Sequence, residues 1–195
     1  MKGVFYMLKK IKNSALEFKS VRSLVIIAML LAVHTVLSIL GSVRVSDSLK
    51  ISTGFVATAI MAVSYGPVVG LIFGAAGDII QWMINPTGPL ALGLTLNAAL
   101  AAMVYGFTLY KKLPKKAIDI LYMLRIIVCV SLINILINAV LGTFWLADLY
   151  GWDYKVYFWP RLIKNLIQIP INSIIIYFVM QAFSNNRYLR QMIGA

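Results

Sequence analysis

Apolar residues run in six stretches along the chain, at about 23–40, 54–64, 67–84, 90–109, 120–146 and 160–183, separated by short polar segments. Within each stretch the apolar positions cover nearly all sides of a helix rather than one stripe, which is the pattern expected where lipid is the solvent. Crossing the hydrocarbon layer takes about 20 helical residues. Five stretches are long enough; 54–64 must tilt, draw on the preceding loop, or lie among other helices. Gly66-Pro67 marks a tight reversal, and the run Asn85-Pro86-Thr87-Gly88-Pro89 a turn. Pro160 suits a helix start, and Pro170 predicts a kink. Residues 148–159 read as an aromatic interfacial loop and 41–53 as a polar loop carrying Arg44, Asp47 and Lys50.

The pattern predicts an all-α integral membrane protein of six transmembrane helices: a basic segment 1–22, a membrane domain 23–184 and a short tail 185–195. Segment 1–22 mixes lysines with Phe5, Tyr6, Leu8, Ile11, Leu16 and Phe18, which fits either a short helix lying on the membrane surface or a disordered basic tail. The first apolar run follows a basic start, as in a signal peptide, but it exceeds the 7–15 residues of a signal core and no small-x-small site follows. It is expected to be a true span.

Composition sharpens this picture. The chain is 61% hydrophobic and 12% charged, with mean hydropathy +0.87, whereas a soluble domain carries roughly a quarter charged residues. A net charge of +12 in a soluble protein would suggest nucleic acid. Here the basic residues sit between apolar spans and form no stripe, so no nucleic-acid partner is expected. They set orientation instead. Thirteen of the 18 Lys/Arg fall in segment 1–22, in loop 111–116 with Arg125, and in the tail, against five on the opposite side. By the positive-inside rule both termini are expected in the cytoplasm. A single cysteine, Cys129, and a single histidine, His34, leave no disulfide framework and no Cys/His metal centre. No phosphate-binding loop, nucleophile elbow or metalloprotease motif is present, so neither a cofactor nor enzyme chemistry is expected.

Polar side chains inside spans are costly and mark functional interiors. Arg161, Lys164, Asn165, Gln168 and Asn172 follow helical steps of three and four on one stripe of the sixth span. Ser131, Asn134, Asn138 and Trp145 share a side of the fifth, and Asp78, Gln81 and Trp82 a side of the third. At about 1.5 Å per residue, Asn97 lies roughly 10 Å from the outer end of the fourth span and Lys164 roughly 6 Å from that of the sixth. Three polar faces weighted toward the outside describe an outward-facing pocket of amides, aromatic rings and two cations, suited to a flat hydrogen-bonding ligand with an acidic group. For any one residue, interhelical hydrogen bonding or snorkelling explains the position as well. Ala28 and Ala32 in the first span form a small-xxx-small strip, which permits close helix packing either within the bundle or against a partner.

The segments LVIIAMLLAVHTVLS (24–38), YGPVVGLIFGAAGDII (65–80), PTGP (86–89), GLTLNAALAAMVYGFTLYKK (93–112), NAVLGTFWLADLYG (138–151) and WPRLIKNLIQIPI (159–171) occur in an order and spacing that match the topology above. In these the chain resembles the S components of energy-coupling factor (ECF) vitamin transporters, specifically the folate-family branch. The resemblance covers about 24–183. It implies a six-helix bundle that binds a vitamin near the outer surface of a bacterial plasma membrane and closes its outer loops over it. It also implies docking on a membrane coupling protein that carries two ATPases, with Ala28 and Ala32 matching the docking motif. Folate or a folate derivative is the implied ligand. The candidate binding residues, read from the polar faces with the loop cation added, are Arg44, Asp78, Gln81, Trp82, Asn97, Asn138, Trp145, Arg161, Lys164 and Asn165. In one place the chain departs from the family pattern, which ends the first span with Ser-Arg: here Ser38 is followed by Ile39. Arg161, Lys164 and Arg44 are left to hold an anion, and pantothenate, another acid-bearing vitamin, stands as the alternative ligand. A standalone secondary transporter and a non-transporting assembly subunit are the alternatives of a different class.

Overall fold

The computed structural model describes residues 2–41, 43–46, 49–51, 53–86, 88–114 and 119–186; side chains are described from residue 7 onward, without those of 43–46 and 49–51. Lys115, Lys116, Arg187, Arg190 and the side chains of Lys2, Arg44 and Lys50, all part of the charge count, lie outside this set.

The described chain is a helical bundle. Its elements are α1 (Lys2–Leu16), α2 (Val21–Leu40), a small hairpin of β1 (Val43–Ser46) and β2 (Leu49–Ile51), α3 (Phe55–Tyr65), α4 (Pro67–Ile84), α5 (Leu92–Leu109), α6 (Ile120–Leu132), α7 (Gly142–Tyr150) and α8 (Tyr154–Asn185). A π-helical segment, Ile133–Leu141, joins α6 and α7 into one continuous span, Ile120–Tyr150. Five helices are long and apolar enough to cross a membrane: Val21–Leu40, Pro67–Ile84, Leu92–Leu109, Ile120–Tyr150 and Tyr154–Asn185. The sixth apolar helix, α3, has 11 residues, about 16 Å of helix. It is surrounded by protein: Ala57, Ala59, Met61, Ala62 and Val63 are almost fully buried. Protein contacts replace the lipid contacts that a short helix could not match.

Small residues hold α4 against α5. A Cβ at Gly70 would come within 2.8 Å of the Ala102 carbonyl oxygen, and one at Gly106 within 2.5 Å of Pro67 Cα; Gly74 is pressed in the same way on the Ala98 carbonyl. With this spacing of four the two backbones approach closely along their length. The α3–α4 junction is one residue, Gly66, at φ +87°, a conformation that favours glycine. Below this junction the apolar core packs Met61, Val63, Phe73 and Leu109 against Ile126, Val130, Ile176 and Met180.

Three elements differ from the sequence expectation. The polar loop 41–53 contains the antiparallel β1–β2 hairpin, with Val43 opposite Ile51. The fifth span continues to Tyr150. The aromatic loop is largely helical: Gly151, at φ +66°, closes α7, Asp153 accepts a hydrogen bond from the Lys155 backbone amide, and α8 starts at Tyr154. Pro160 therefore sits inside α8. It is exposed there, in the second turn, where its missing amide leaves the Val156 carbonyl without its helical donor.

Candidate functional site

The polar faces of α4, the π segment and α8 meet around two connected chambers. The deeper one, about 390 Å³, is bounded by His34 and Ser38 of α2, Gly54 and Thr58, Asp78 and Gln81 of α4, Tyr105 of α5, Asn134 and Asn138, and the α8 stripe from Arg161 to Asn172. The second, about 250 Å³, opens at the loop between α4 and α5 and is bounded by Trp82, Asn85, Gly88, Leu94, Leu149 and Tyr150. Asp78, Gln81, Arg161 and Lys164 line both chambers, which adjoin there.

Each wall is positioned by identifiable bonds. Thr95 on α5 donates its hydroxyl to Asp78 Oδ2 at 2.7 Å, which fixes the carboxylate across the close α4–α5 contact. Trp82 Nε1 donates to the Gly88 carbonyl at 2.8 Å and pins the α4–α5 loop, while the Tyr150 hydroxyl abuts Gly88 from α7. Tyr150 stacks on Trp152 (4.7 Å, 18°), which stacks on Tyr157 (4.3 Å, 15°), so an aromatic column ties α7 to the start of α8.

The π segment explains how amides come to face the deep chamber. Asn138 Nδ2 donates to Asn134 Oδ1 at 3.1 Å, and Asn134 Nδ2 reaches the Asn165 carbonyl of α8 at 3.5 Å. On the other side Asn97 Nδ2 donates to the Ile137 carbonyl at 3.2 Å. The wider π turn shifts carbonyls off the α-helical ladder, and π segments recur at functional sites. Gly142 opens the space beside it: a Cβ there would lie 3.4 Å from Asn97 Nδ2 and 3.6 Å from Arg161 Nη2.

Of the ten predicted binding residues, Asp78, Gln81, Asn138, Arg161, Lys164 and Asn165 line the deep chamber, and Trp82 lines the second. Asn97 is buried behind the chamber wall, holding the π segment. Trp145 packs its indole on the Gly93 backbone, and its Nε1 is buried without a hydrogen-bond partner among the described residues. Arg44 lies on β1 with its side chain outside the described ones. Ala28 and Ala32 are exposed on α2, the least covered of the five long spans.

His34, Ser38 and Thr58 were not among the predicted binding residues. The His34 ring lies against Gly77, where a Cβ would come within 2.9 Å, and edge-on to Phe73 at 5.6 Å; its Nε2 is 3.5 Å from Ser38 Oγ. The sequence signal was present: His34 and Ser38 are one turn apart in an apolar span, on a different face from Ala28 and Ala32.

Chemically the site is a binding site. The described charges lining it are one carboxylate and two cations, a balance that favours an anionic group beside Arg161 and Lys164. Arg161 Nη1 is a buried donor without a partner among the described residues, available to an acceptor in the chamber. No cluster of three or more His, Cys, Asp or Glu able to hold a metal occurs among the described residues.

A lipid-facing bundle enclosing a polar, cation-bearing chamber defines a membrane-embedded small-molecule-binding protein. Residues 22–180 match the family described as ECF transporter, substrate-specific component, and the chain belongs to that family. Its members are substrate-binding subunits of transporters and not enzymes. The chain is 32% identical over 159 residues to a folate transporter, FolT, of Clostridium novyi (strain NT), covering 82% of this chain and 88% of that one. It is also 32% identical over 164 residues to a folate transporter, FolT, of Leuconostoc mesenteroides subsp. mesenteroides, covering 82% and 84%. The crystal structure of FolT bound with folic acid superposes with a TM-score of 0.74 at 30% identity, over 84% of this chain and 95% of that one.

Proposed function

We propose that this chain captures folate or a folate derivative from outside a bacterial plasma membrane and delivers it inward as the binding subunit of an ECF-type importer. The observation that carries the reading is the lining shared by two polar chambers, Asp78, Gln81, Arg161 and Lys164. A flat heteroaromatic ring with several donors and acceptors suits the amide-lined deep chamber, and an acidic tail suits the two cations at its entrance. The names of the FolT relatives support the same ligand. Both termini lie in the cytoplasm in this reading, by the distribution of Lys and Arg, and the chambers then open outward. Binding of Arg44 to the ligand from the β1–β2 hairpin, and support from Asn97 and Trp145 behind the wall, belong to the same proposal.

The exposed strip of Ala28 and Ala32 is the docking face for a membrane coupling protein that brings two ATPases. Energy then enters through the partners, and this chain binds and carries the ligand.

The test is mass spectrometry of the small molecule released from the purified chain, followed by calorimetric titration. Folate or a reduced folate, bound without any other subunit, is the expected result. Release of pantothenate instead would replace the ligand while keeping the importer. Uptake by the chain alone, without ATPase partners, would overturn the importer reading in favour of a secondary transporter. An Ala28→Trp, Ala32→Trp double variant is expected to lose uptake and keep binding; lost binding would place those alanines inside the fold.

A further inference from the structure

Helix α1 is attached to the bundle with its polarity reversed. Its inward side is polar: Ser14 is fully buried and Lys10 nearly so. The Ser14 hydroxyl donates to the Tyr65 carbonyl (2.7 Å) and accepts from the backbone amides of Val68 (3.0 Å) and Val69 (3.1 Å). It thereby caps α4, whose own N-cap, Gly66, has no side chain to do so. Lys10 Nζ donates to the Phe107 carbonyl in the last turn of α5. These bonds tie α1 across the C-terminal ends of α3 and α5 and the N-terminal end of α4.

Its outward side is apolar and cationic together. Met7, Leu8, Ile11 and Leu16 are exposed, by 54%, 58%, 37% and 47%. Lys9 and Lys12 are exposed among them, and Lys19 and Arg22 follow. On a helical projection Met7 and Ile11 fall on one flank, Lys9 and Asn13 on the other, with Leu8, Lys12 and Leu16 between. Glu17, the one acidic residue of segment 1–22, accepts from the Ser23 hydroxyl at 2.9 Å. In water such a helix would turn its apolar side inward; here the bundle holds that side out. A helix with an apolar flank for acyl chains and a cationic flank for headgroups fits the interface of an anionic leaflet.

We infer that α1 is an anionic-lipid-binding interfacial helix, held on the bundle by Ser14 and Lys10 and seated in the bilayer surface by Met7, Leu8, Ile11 and Leu16 with Lys9, Lys12 and Lys19. The occupant of its outward side is glycerophospholipid, and each of these lysines strengthens the association about fivefold. The inference is independent of the ligand in the chambers.

The experiment places a nitroxide at Leu8→Cys in the full chain with Cys129→Ser, reconstituted in vesicles of three parts phosphatidylcholine to one part phosphatidylglycerol. Power saturation then compares oxygen with a water-soluble nickel chelate. Oxygen is expected to dominate, and the preference to fall in pure phosphatidylcholine and in a Lys9→Gln, Lys12→Gln, Lys19→Gln variant. Retained ligand binding by that variant shows that it is folded. Access of the nickel chelate in the anionic vesicles would overturn the proposal. Protection from both reagents would also overturn it, because a protein would then cover the face. A signal indifferent to both headgroup charge and lysine substitution would remove the anionic-lipid claim.

Discussion

The two walls of the chamber are built on opposite principles. The α4–α5 wall is made close: Gly70, Gly74, Ala98, Ala102 and Gly106 let two backbones touch, and its polar groups are few. The wall formed by the π segment and α8 is made polar: Asn138 bonds Asn134 within the segment, Asn134 ties it to the Asn165 carbonyl of α8, and Gly142 leaves room for Arg161. The glycines of the first wall give rigidity, while Asp78 and Gln81 on it share the chamber lining with the second. Substitutions at those glycines should act on folding, and those at the lining polar groups on affinity.

That contrast can be broken in order of effect. Gly74→Leu forces a side chain onto the Ala98 carbonyl, and overpacking costs about 3 kcal/mol or more where backbone must move; a large fall in the thermal midpoint of the purified chain is expected, and an unchanged midpoint would sink the close-packing account. Lys164→Ala removes a cation from the chamber lining, and a charge-assisted bond is worth about 1.5–3 kcal/mol. Calorimetry should show folate binding weakened by roughly ten- to a hundredfold at near-constant thermal stability. A loss of stability without a change in affinity would make Lys164 structural.

Smaller effects follow. Asn97→Ala frees the Ile137 carbonyl, at about 1–2 kcal/mol. Because Asn97 stands behind the wall, stability and affinity should fall together, and an affinity loss alone would place it in contact with ligand. Ser14→Ala uncaps α4 for about 1 kcal/mol, with faster amide exchange at Val68 and Val69 expected and ligand affinity unchanged.

The smallest effect at neutral pH concerns Lys10. Burial, then the charges of Lys112 and Arg125, lower its pKa from 10.5 to about 8. Undocked, it keeps the higher value. Between about pH 8 and 10.5 the free helix therefore binds the extra proton, and docking of α1 strengthens as pH rises; below pH 8 both forms are protonated and the dependence vanishes. Carbon NMR of reductively methylated lysines should show one resonance titrating near 8, absent in Lys10→Met; titration near 10.5 would refute the docked geometry.

Much of this was legible from the sequence because lipid imposes simple rules. The glycine and alanine spacing of α4 and α5 and the Arg161–Asn172 stripe of α8 are periodic, and periodicity survives without coordinates. The residues that escaped were fixed by other means. His34 is seen as lining the chamber only once α2 is rotated against Gly77 and Gly54. Asn97 and Trp145 carry the polar atoms of a binding site, and the contacts of Asn97 with the Ile137 carbonyl and of Trp145 with Gly93 are not visible in spacing. The π geometry of Ile133–Leu141 has no compositional mark; it depends on Asn97 and Asn165 accepting or donating from neighbouring helices. Pro160 suggested a helix start, and the nearer signal, Asp153 after Gly151, set the start earlier.

The aromatic end of the molecule has an optical consequence. All four tryptophans, Trp82, Trp145, Trp152 and Trp159, lie there: one on the chamber lining, one packed on the first turn of α5, one in the stacked column and one beside the start of α8. A ligand entering past them would absorb at the wavelengths they emit if it were a pterin. Occupancy could then be read from the quenching of native emission in a cuvette, with no label attached to the chain.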